Sequence, residues 1–330
     1  MIKFKRLFNG TMGCIAAILL LIVGVVVAVD PYQQYRKSDV FILNQRLENP
    51  GVAKHHDYDA VIVGSSMSMN HYPSQVDSLF RWNTINLTTK GGLDADYYLL
   101  FPHLIRQGKV KHMVWGIDFF SYALPVTFSA EPYLYDNKWW NDFPYWFNYT
   151  SFENSYKKIR TNELVSRDEI SHFDSHLGRQ YLLKYYERDN NELYFKKYDF
   201  TAMKSRFDKM MDSLIPIMED VELYIYFTPY SILEFKMFEQ YGHWEQVLDF
   251  KRYMIGRLLE YPNVKLYDFQ KEEFICNLDE YMDLRHHSHA YNKRVIEYMH
   301  KDSCRVREDN YIKDLAVLDS LVRLYRIELN

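Results

Sequence analysis

Cysteine, glycine and basic charge are all in short supply in this chain, and each shortage narrows its class. Three cysteines in 330 residues leave room for at most one disulfide. Cys14 falls within an apolar run, so only Cys276 and Cys304 could pair, and only outside the cytoplasm. Twelve glycines and ten prolines, with no internal repeat and no low-complexity tract, argue against a repeat architecture. Forty Lys and Arg against 44 Asp and Glu give a net charge of −4. Such a balance has no cationic excess to neutralise a phosphate backbone, so nucleic acid is not an expected partner. No cofactor is implied either. What the chain has in plenty is aromatic side chains, at 17% with 29 tyrosines. Tyrosine pairs flat apolar area with a hydroxyl, which suits interfaces, sugars and membrane surfaces alike.

Residues 9–29 carry no charge at all. That length matches the roughly 20 residues needed to cross the hydrocarbon core of a bilayer. Lys3, Lys5 and Arg6 precede the run and Asp30 follows it, which orients the N-terminus to the cytoplasm and the rest outside. A cleaved signal would have a shorter apolar region and a small-x-small site, of which Ala28-Val29-Asp30-Pro31 is a poor version. Cys14 lies near the start of the apolar run rather than after it, where a lipoprotein anchor would not place it. The expectation is a single-pass cell-membrane protein with its anchor in residues 1–30. A polar, weakly patterned neck follows over 31–56, with Tyr32 at the headgroup layer.

Beyond the neck, short apolar runs alternate with helical stretches. Strands are expected at 60–63, 84–87, 112–117, 222–227 and 264–267. Helices are expected at 73–80, 94–107, 201–219 and 233–260, with a last one in 306–330. That alternation argues for a parallel sheet covered on both faces. It breaks over an insert at about 119–200, where Tyr133, Tyr135, Trp139, Trp140, Phe143, Tyr145, Trp146, Phe147 and Tyr149 crowd together. No period of two or 3.6 fits them. A sugar-binding lid is one reading, and a buried subdomain core or a face resting on the membrane is the other.

Two stretches carry chemistry. Residues 59–70 read DAVIVGSSMSMN, an apolar run turning at Gly64 into small hydroxyl residues. Ser65 and Ser66 would then sit at the carboxyl end of a strand, where open α/β sheets collect ligands. Backbone N–H groups opening the next helical turn would favour negative charge there. Alone, Gly-Ser-Ser is an ordinary turn or N-cap. The second stretch, residues 278–292, reads LDEYMDLRHHSHAYN. Asp283 and His286 are three apart, so on a helical turn the carboxylate could orient the imidazole and leave its other nitrogen to take a serine proton. A lone Asp-x-x-His is otherwise a surface pair. His286, His287 and His289 also raise a metal site, but adjacent residues point apart and no further ligand set is apparent, so none is expected.

A Gly-x-Ser turn after the first strand, the loop Thr88-Thr89-Lys90-Gly91-Gly92 after the second, and Asp-x-x-His after the last together resemble the SGNH (GDSL-type) hydrolase superfamily. The resemblance spans residues 57 to about 300. More narrowly, the chain is similar to membrane-anchored SGNH-like proteins of bacterial envelopes. That narrower likeness rests on YDAVIVGSSM, on EPYLYDN at 131–137, on FTPYSIL at 227–233 and on NLDEYMDLRHHS at 277–288. The D-alanyl transfer protein of the teichoic-acid pathway is a more distant likeness.

The resemblance implies a flavodoxin-like three-layer α/β/α domain over 57–305. It carries the nucleophile to Ser66 rather than Ser65, the orienting acid to Asp283 and the general base to His286. An oxyanion donor falls to Gly91 or Gly92. Where the family has Gly-x-Asn, this chain has Gly116-Ile117-Asp118, and an ionised carboxylate cannot donate to an oxyanion. The expected function is an extracytoplasmic serine esterase or O-acyltransferase. It would act on acyl, most simply O-acetyl, esters of a cell-surface glycan through an acyl-Ser66 intermediate. The alternative is a non-catalytic envelope scaffold that binds a glycan or a membrane-bound acyltransferase.

Overall fold

A computed structural model of the chain describes residues 2–42, 44–123, 131–160 and 176–327. It divides into two compact units, Met1–His56 with Ser129–Ser166, and Asp57–Phe128 with Arg167–Asn330. Helix α1 (Ile2–Val29) contains the uncharged run and is long and apolar enough to cross a membrane. It stops where Asp30 takes a left-handed conformation, with φ of +49°. The following residues, expected as a plain neck, are instead folded. The Asp30 carboxylate accepts the N–H groups of Gln34 and Tyr35, each at 2.8 Å. Helix α2 (Gln45–His55) buries Glu48, Asn49 and Pro50 despite a proline in mid-helix. The buried residues run consecutively from Glu48 to Ala53 and form no stripe at helical spacing, so sequence periodicity does not reveal this helix.

The second unit is built on a five-stranded parallel sheet. In chain order come β1 (Ala60–Val63), α3 (Pro73–Phe80), β2 (Thr84–Asn86), α4 (Asp94–Gln107) and β3 (His112–Ile117). The chain then supplies α5 (Phe143–Trp146) and α6 (Tyr149–Arg160) to the first unit. It returns with α7 (Arg179–Asp189), α8 (Phe200–Leu214), β4 (Glu222–Phe227), α9 (Ile232–Gln240), α10 (Trp244–Leu259) and β5 (Val264–Asp268), and ends with α11 (His289–His300) and α12 (Tyr311–Leu324). The strand order is β2-β1-β3-β4-β5, with every neighbouring pair parallel. β1 is an all-aliphatic run buried along its whole length, as a strand covered on both faces requires. Because the chain leaves β1 for one neighbour and later returns to its other side, the sheet has a switch point between β1 and β3.

Two helical expectations need correction. The helix expected over 201–219 ends at Leu214, because Pro216 cannot continue it and opens a 3₁₀ turn instead. The single helix expected over 233–260 is two, α9 and α10, parted at Gly242 with φ of +74°. Of the aromatic insert, 131–160 belongs to the first unit and 176–200 to the second, while 124–130 and 161–175 lie outside the described residues. Cys276 and Cys304 are both free thiols.

Alternation along the strands splits the core. Ile62, Val114, Tyr224 and Tyr226 pack with Val76 of α3 and Val295, Ile296 and Met299 of α11. Trp115 points the other way, meeting Phe101 of α4 edge-on at 4.9 Å. Such an aromatic pair contributes about 0.5–1.5 kcal/mol beyond its buried area. Gly116 follows, and a Cβ there would overlap Ser68 Oγ and the Tyr226 hydroxyl. Those two hydroxyls bond each other at 2.9 Å directly beneath the β1 turn. Gly116→Ala is therefore expected to destabilise by about 1–3 kcal/mol through overpacking. Gly256→Ala, on an open face of α10 with nothing within 4 Å, should instead stabilise by roughly 0.5–1 kcal/mol. Thermal melts of the two variants check this, and equal shifts would contradict the packing described.

Candidate active site

β1 ends at Gly64, whose φ of +147° is open only to glycine. A Cβ there would also meet Ser68 Oγ at 2.5 Å. The turn this permits sends two adjacent serines in different directions. Ser65 Oγ accepts the Met67 N–H at 3.2 Å, capping the 3₁₀ turn Ser66–Ser68, and donates to the Asp118 carboxylate. Ser66 Oγ instead lies 2.8 Å from His286 Nε2. His286 Nδ1 lies 2.7 Å from Asp283 Oδ2. An ionised carboxylate only accepts, so Nδ1 carries the proton, Nε2 is left as acceptor, and the Ser66 hydroxyl donates to it.

Asp283 and His286 are not on a helix, as their spacing suggested. The loop between Tyr281 and Ser288 is held by Asp283 Oδ1, which accepts the N–H of Arg285 at 2.9 Å and of His286 at 2.8 Å. A short polar side chain closing its own turn in this way can replace helical geometry at that spacing. Burial alone would push the Asp283 carboxyl up. The hydrogen bond and charge of the His286 ring, with those two N–H groups, instead carry it below the usual carboxylate range.

The same loop is braced from behind. Ser231 donates through both N–H and Oγ to the Leu284 carbonyl, at 3.0 and 2.8 Å. Arg285 reaches Glu234 of α9 with Nη2 at 2.6 Å and Nε at 3.0 Å, and donates to the hydroxyls of Tyr194 and Tyr198. Burial works against the guanidinium charge, but Glu234 and the tyrosines hold it firmly ionised. Sequence reasoning passed over Glu234, Ser231 and Arg285. The available signal was Glu234 and Lys236 set among the apolar residues of α9, since charges buried there need partners.

Asp118, at the end of β3, is buried and faces three hydroxyls. They belong to Ser65, to Thr228 at 2.5 Å and to Tyr230 at 3.2 Å. Burial raises its carboxyl above the usual range, while those donors and the Arg285 charge oppose the rise. Gly92 packs against the β1 turn, its Cβ position 3.4 Å from Ser65 Cα. Its N–H is already given to the Thr89 carbonyl at 2.8 Å, and Gly91 beside it takes φ of +59°. The Ser66 N–H has no hydrogen-bond partner among the described residues.

The remaining histidines are each engaged separately. Buried His287 bonds Asn292 at 2.9 Å and is pushed down to about 4 by desolvation. His289 stacks on Tyr72 with ring centroids 3.5 Å apart. Among the described residues no cluster of three or more His, Cys, Asp or Glu side chains could hold a metal ion.

A cleft of about 220 Å³ opens beside His286 and Asp283, walled by Tyr185, Tyr194, Arg188 and Lys197. A larger groove of about 540 Å³ runs along α12 past Ala316, Val317 and Leu321. Cys276 lines it too, its thiol pushed up to about 11 by burial. The smaller cleft is the one that reaches His286 and Asp283, although Ser66 is not among its lining residues. Comparison with family models, curated proteins and solved structures finds no match to this chain, so the geometry alone carries the reading.

Two predictions follow from these carboxylates. Asp118→Ala strands three buried hydroxyls and should cost about 1–3 kcal/mol or more. Asp118→Asn keeps an acceptor for Thr228 and Tyr230 and should cost less. An alanine variant that melts like the parent would contradict the network. Asp283, held low when folded, contributes stability present above its unfolded pKa of about 3.9 and lost as pH falls through the lower folded value. Asp283→Asn should accordingly flatten the acid limb of the stability profile, and parallel profiles would show that the bond to His286 contributes nothing.

Proposed function

We propose that the chain is a membrane-anchored SGNH-type serine esterase or O-acyltransferase acting on acyl esters of an extracytoplasmic glycan. One observation carries the reading: Ser66, His286 and Asp283 form a continuous relay of 2.8 and 2.7 Å contacts at the carboxyl edge of a parallel sheet. The strand order and the helices packed against the sheet support a flavodoxin-like three-layer domain. The basic residues ahead of α1 support a cytoplasmic N-terminus with the sheet unit outside. A cell-surface glycan is the partner that this topology makes available, and a membrane-bound acyltransferase could supply its acyl groups.

In this mechanism Ser66 Oγ attacks the ester carbonyl as His286 Nε2 takes its proton, and Asp283 stabilises the imidazolium. The Ser66 N–H meets the oxyanion, while the Gly92 N–H, the other donor expected there, is already given to the Thr89 carbonyl. Collapse breaks the ester C–O bond, His286 returns the proton to the leaving sugar hydroxyl, and the acyl group stays on Ser66. Water then releases the acid, or a second sugar hydroxyl accepts the acyl group, with His286 again as base. Asp118, where the family has an amide donor, favours a second reading as a scaffold whose relay turns nothing over.

Hydrolysis of a small aryl acetate separates the two. Ser66→Ala is expected to lower turnover by roughly 10⁴-fold or more. Ser65→Ala should keep a measurable share, because its hydroxyl serves Asp118 and the turn. Inactivity of the wild type toward this ester would favour the scaffold, and a dead Ser65→Ala beside an active Ser66→Ala would overturn the assignment.

A further inference from the structure

Helix α6 is built inside out. The face it packs into the first unit carries Ser151, Asn154 and Ser155, all buried. Tyr149, Phe152, Tyr156 and Ile159 recur at spacings of three and four along one stripe and are 77%, 38%, 54% and 61% exposed. A helix whose outer surroundings are water places its apolar stripe inward. A third stripe is charged, with Glu153 and Lys157 paired at 2.7 Å and Arg160 beyond them. At about 100° per residue the three stripes are distinct arcs of one cylinder: polar toward the protein, aromatic to one side, charged to the other.

The position of α6 within its unit identifies what the aromatic arc meets. The helix packs against α1. Asn154 Nδ2 bonds the Tyr32 hydroxyl at 3.1 Å, and Lys158 Nζ bonds the Asp30 carbonyl at 3.0 Å. Those contacts set α6 beside the last turn of α1, where Val26 is buried although Leu20 and Leu21, about a turn and a half earlier, are exposed. The 28 residues of α1 reach about 42 Å, against a hydrocarbon core of about 30 Å, so its ends lie in the headgroup layers. Neighbouring α5 repeats the pattern: its Tyr145 is buried on Asp30, with the hydroxyl bonding the carboxylate at 2.8 Å. Phe143 and Phe147 beside it are exposed.

We propose that α6 lies in the interfacial layer of the bilayer that α1 crosses, with Phe152 and Ile159 in the lipid, Glu153 and Lys157 in water, and Tyr156 at the boundary, where its hydroxyl accepts from Arg160 Nη1 at 2.8 Å. Tyrosine suits that layer because its ring is apolar and its hydroxyl can reach water. An arc of polar, aromatic and charged faces is what an interface-lying helix requires. The aromatic insert then serves as a second membrane contact beside α1 and fixes how the first unit stands on the bilayer. This inference rests on α1 spanning a membrane and is independent of the serine chemistry.

Tryptophan quenching in vesicles of phosphatidylcholine brominated near the headgroup end of its acyl chains tests it on the full chain. Single variants Phe152→Trp, Tyr156→Trp and Lys157→Trp are compared with the unsubstituted protein, and Leu20→Trp reports on α1. The expected result is that brominated lipid removes most of the emission added at 152 and 156 and little of that added at 157. Quenching at 20 without quenching at 152 and 156 would overturn the proposal while leaving the anchor intact, and would assign the arc to a protein or glycan. Equal quenching at 152, 156 and 157 would overturn the three-arc orientation. No quenching at any position would remove the membrane premise itself.

Discussion

The hydrogen bond between Ser66 and His286 joins residues 220 positions apart in the chain, and most of the sheet unit can be understood as what holds its two ends in place. A 2.8 Å contact between two side chains has no stability of its own in a flexible chain, because ordering them costs more conformational entropy than one such bond returns. It persists only where each partner is already fixed. On one side Gly64 permits the turn, and Ser65 and Ser68 pin it to Asp118 and Tyr226. On the other side Asp283 closes its own turn, and Arg285, Leu284 and Ser231 fasten that turn to α9. Ser66 and His286 meet because two independently anchored loops end at the same edge of the sheet.

Both anchors are polar and buried, which is an unusual investment for a protein interior. A buried hydroxyl or carboxylate costs free energy unless its partners are present, and a complete network makes the arrangement both rigid and intolerant of change. Asp118 collects three hydroxyls. Tyr226 collects Ser68 and His71, the latter at 2.7 Å and kept neutral by its burial. Glu234 and Arg285 neutralise each other beside the His286 loop. Arg285 also lines the cleft, and these groups bond to one another and to the two loops. Their effect is to leave Ser66 and His286 few ways to move, which is how preorganised sites gain over water.

How much of this can be read from residues alone differs from part to part, for physical reasons. Strands such as 60–63 and 112–117 announce themselves, since a fully buried parallel strand must be apolar at nearly every position. The motif residues are equally visible, because chemistry needs particular side chains at the end of a particular strand. Their local conformation is less so: Asp283 and His286 share a direction through an Asp-closed turn that has the same three-residue spacing as a helix. Interruptions of helices hinge on single residues, Pro216 and Gly242, which the surrounding apolar pattern masks. Helix α2 is hidden because its buried residues, 48–53, are consecutive and mixed in polarity instead of recurring at helical spacing. The brace between Arg285 and Glu234 spans 51 residues, and no local pattern reveals which distant carboxylate a buried arginine will find.

The central claim is that Ser66 is a nucleophile made reactive by His286. Treating the full chain with a fluorophosphonate and mapping the adduct by peptide mass spectrometry tests this most directly, because the reagent bonds preferentially to an activated serine oxygen. The account predicts a single adduct on the peptide containing Ser66, absent from Ser66→Ala and from a folded His286→Ala. An unlabelled wild type, or labelling that survives the loss of His286, would contradict it.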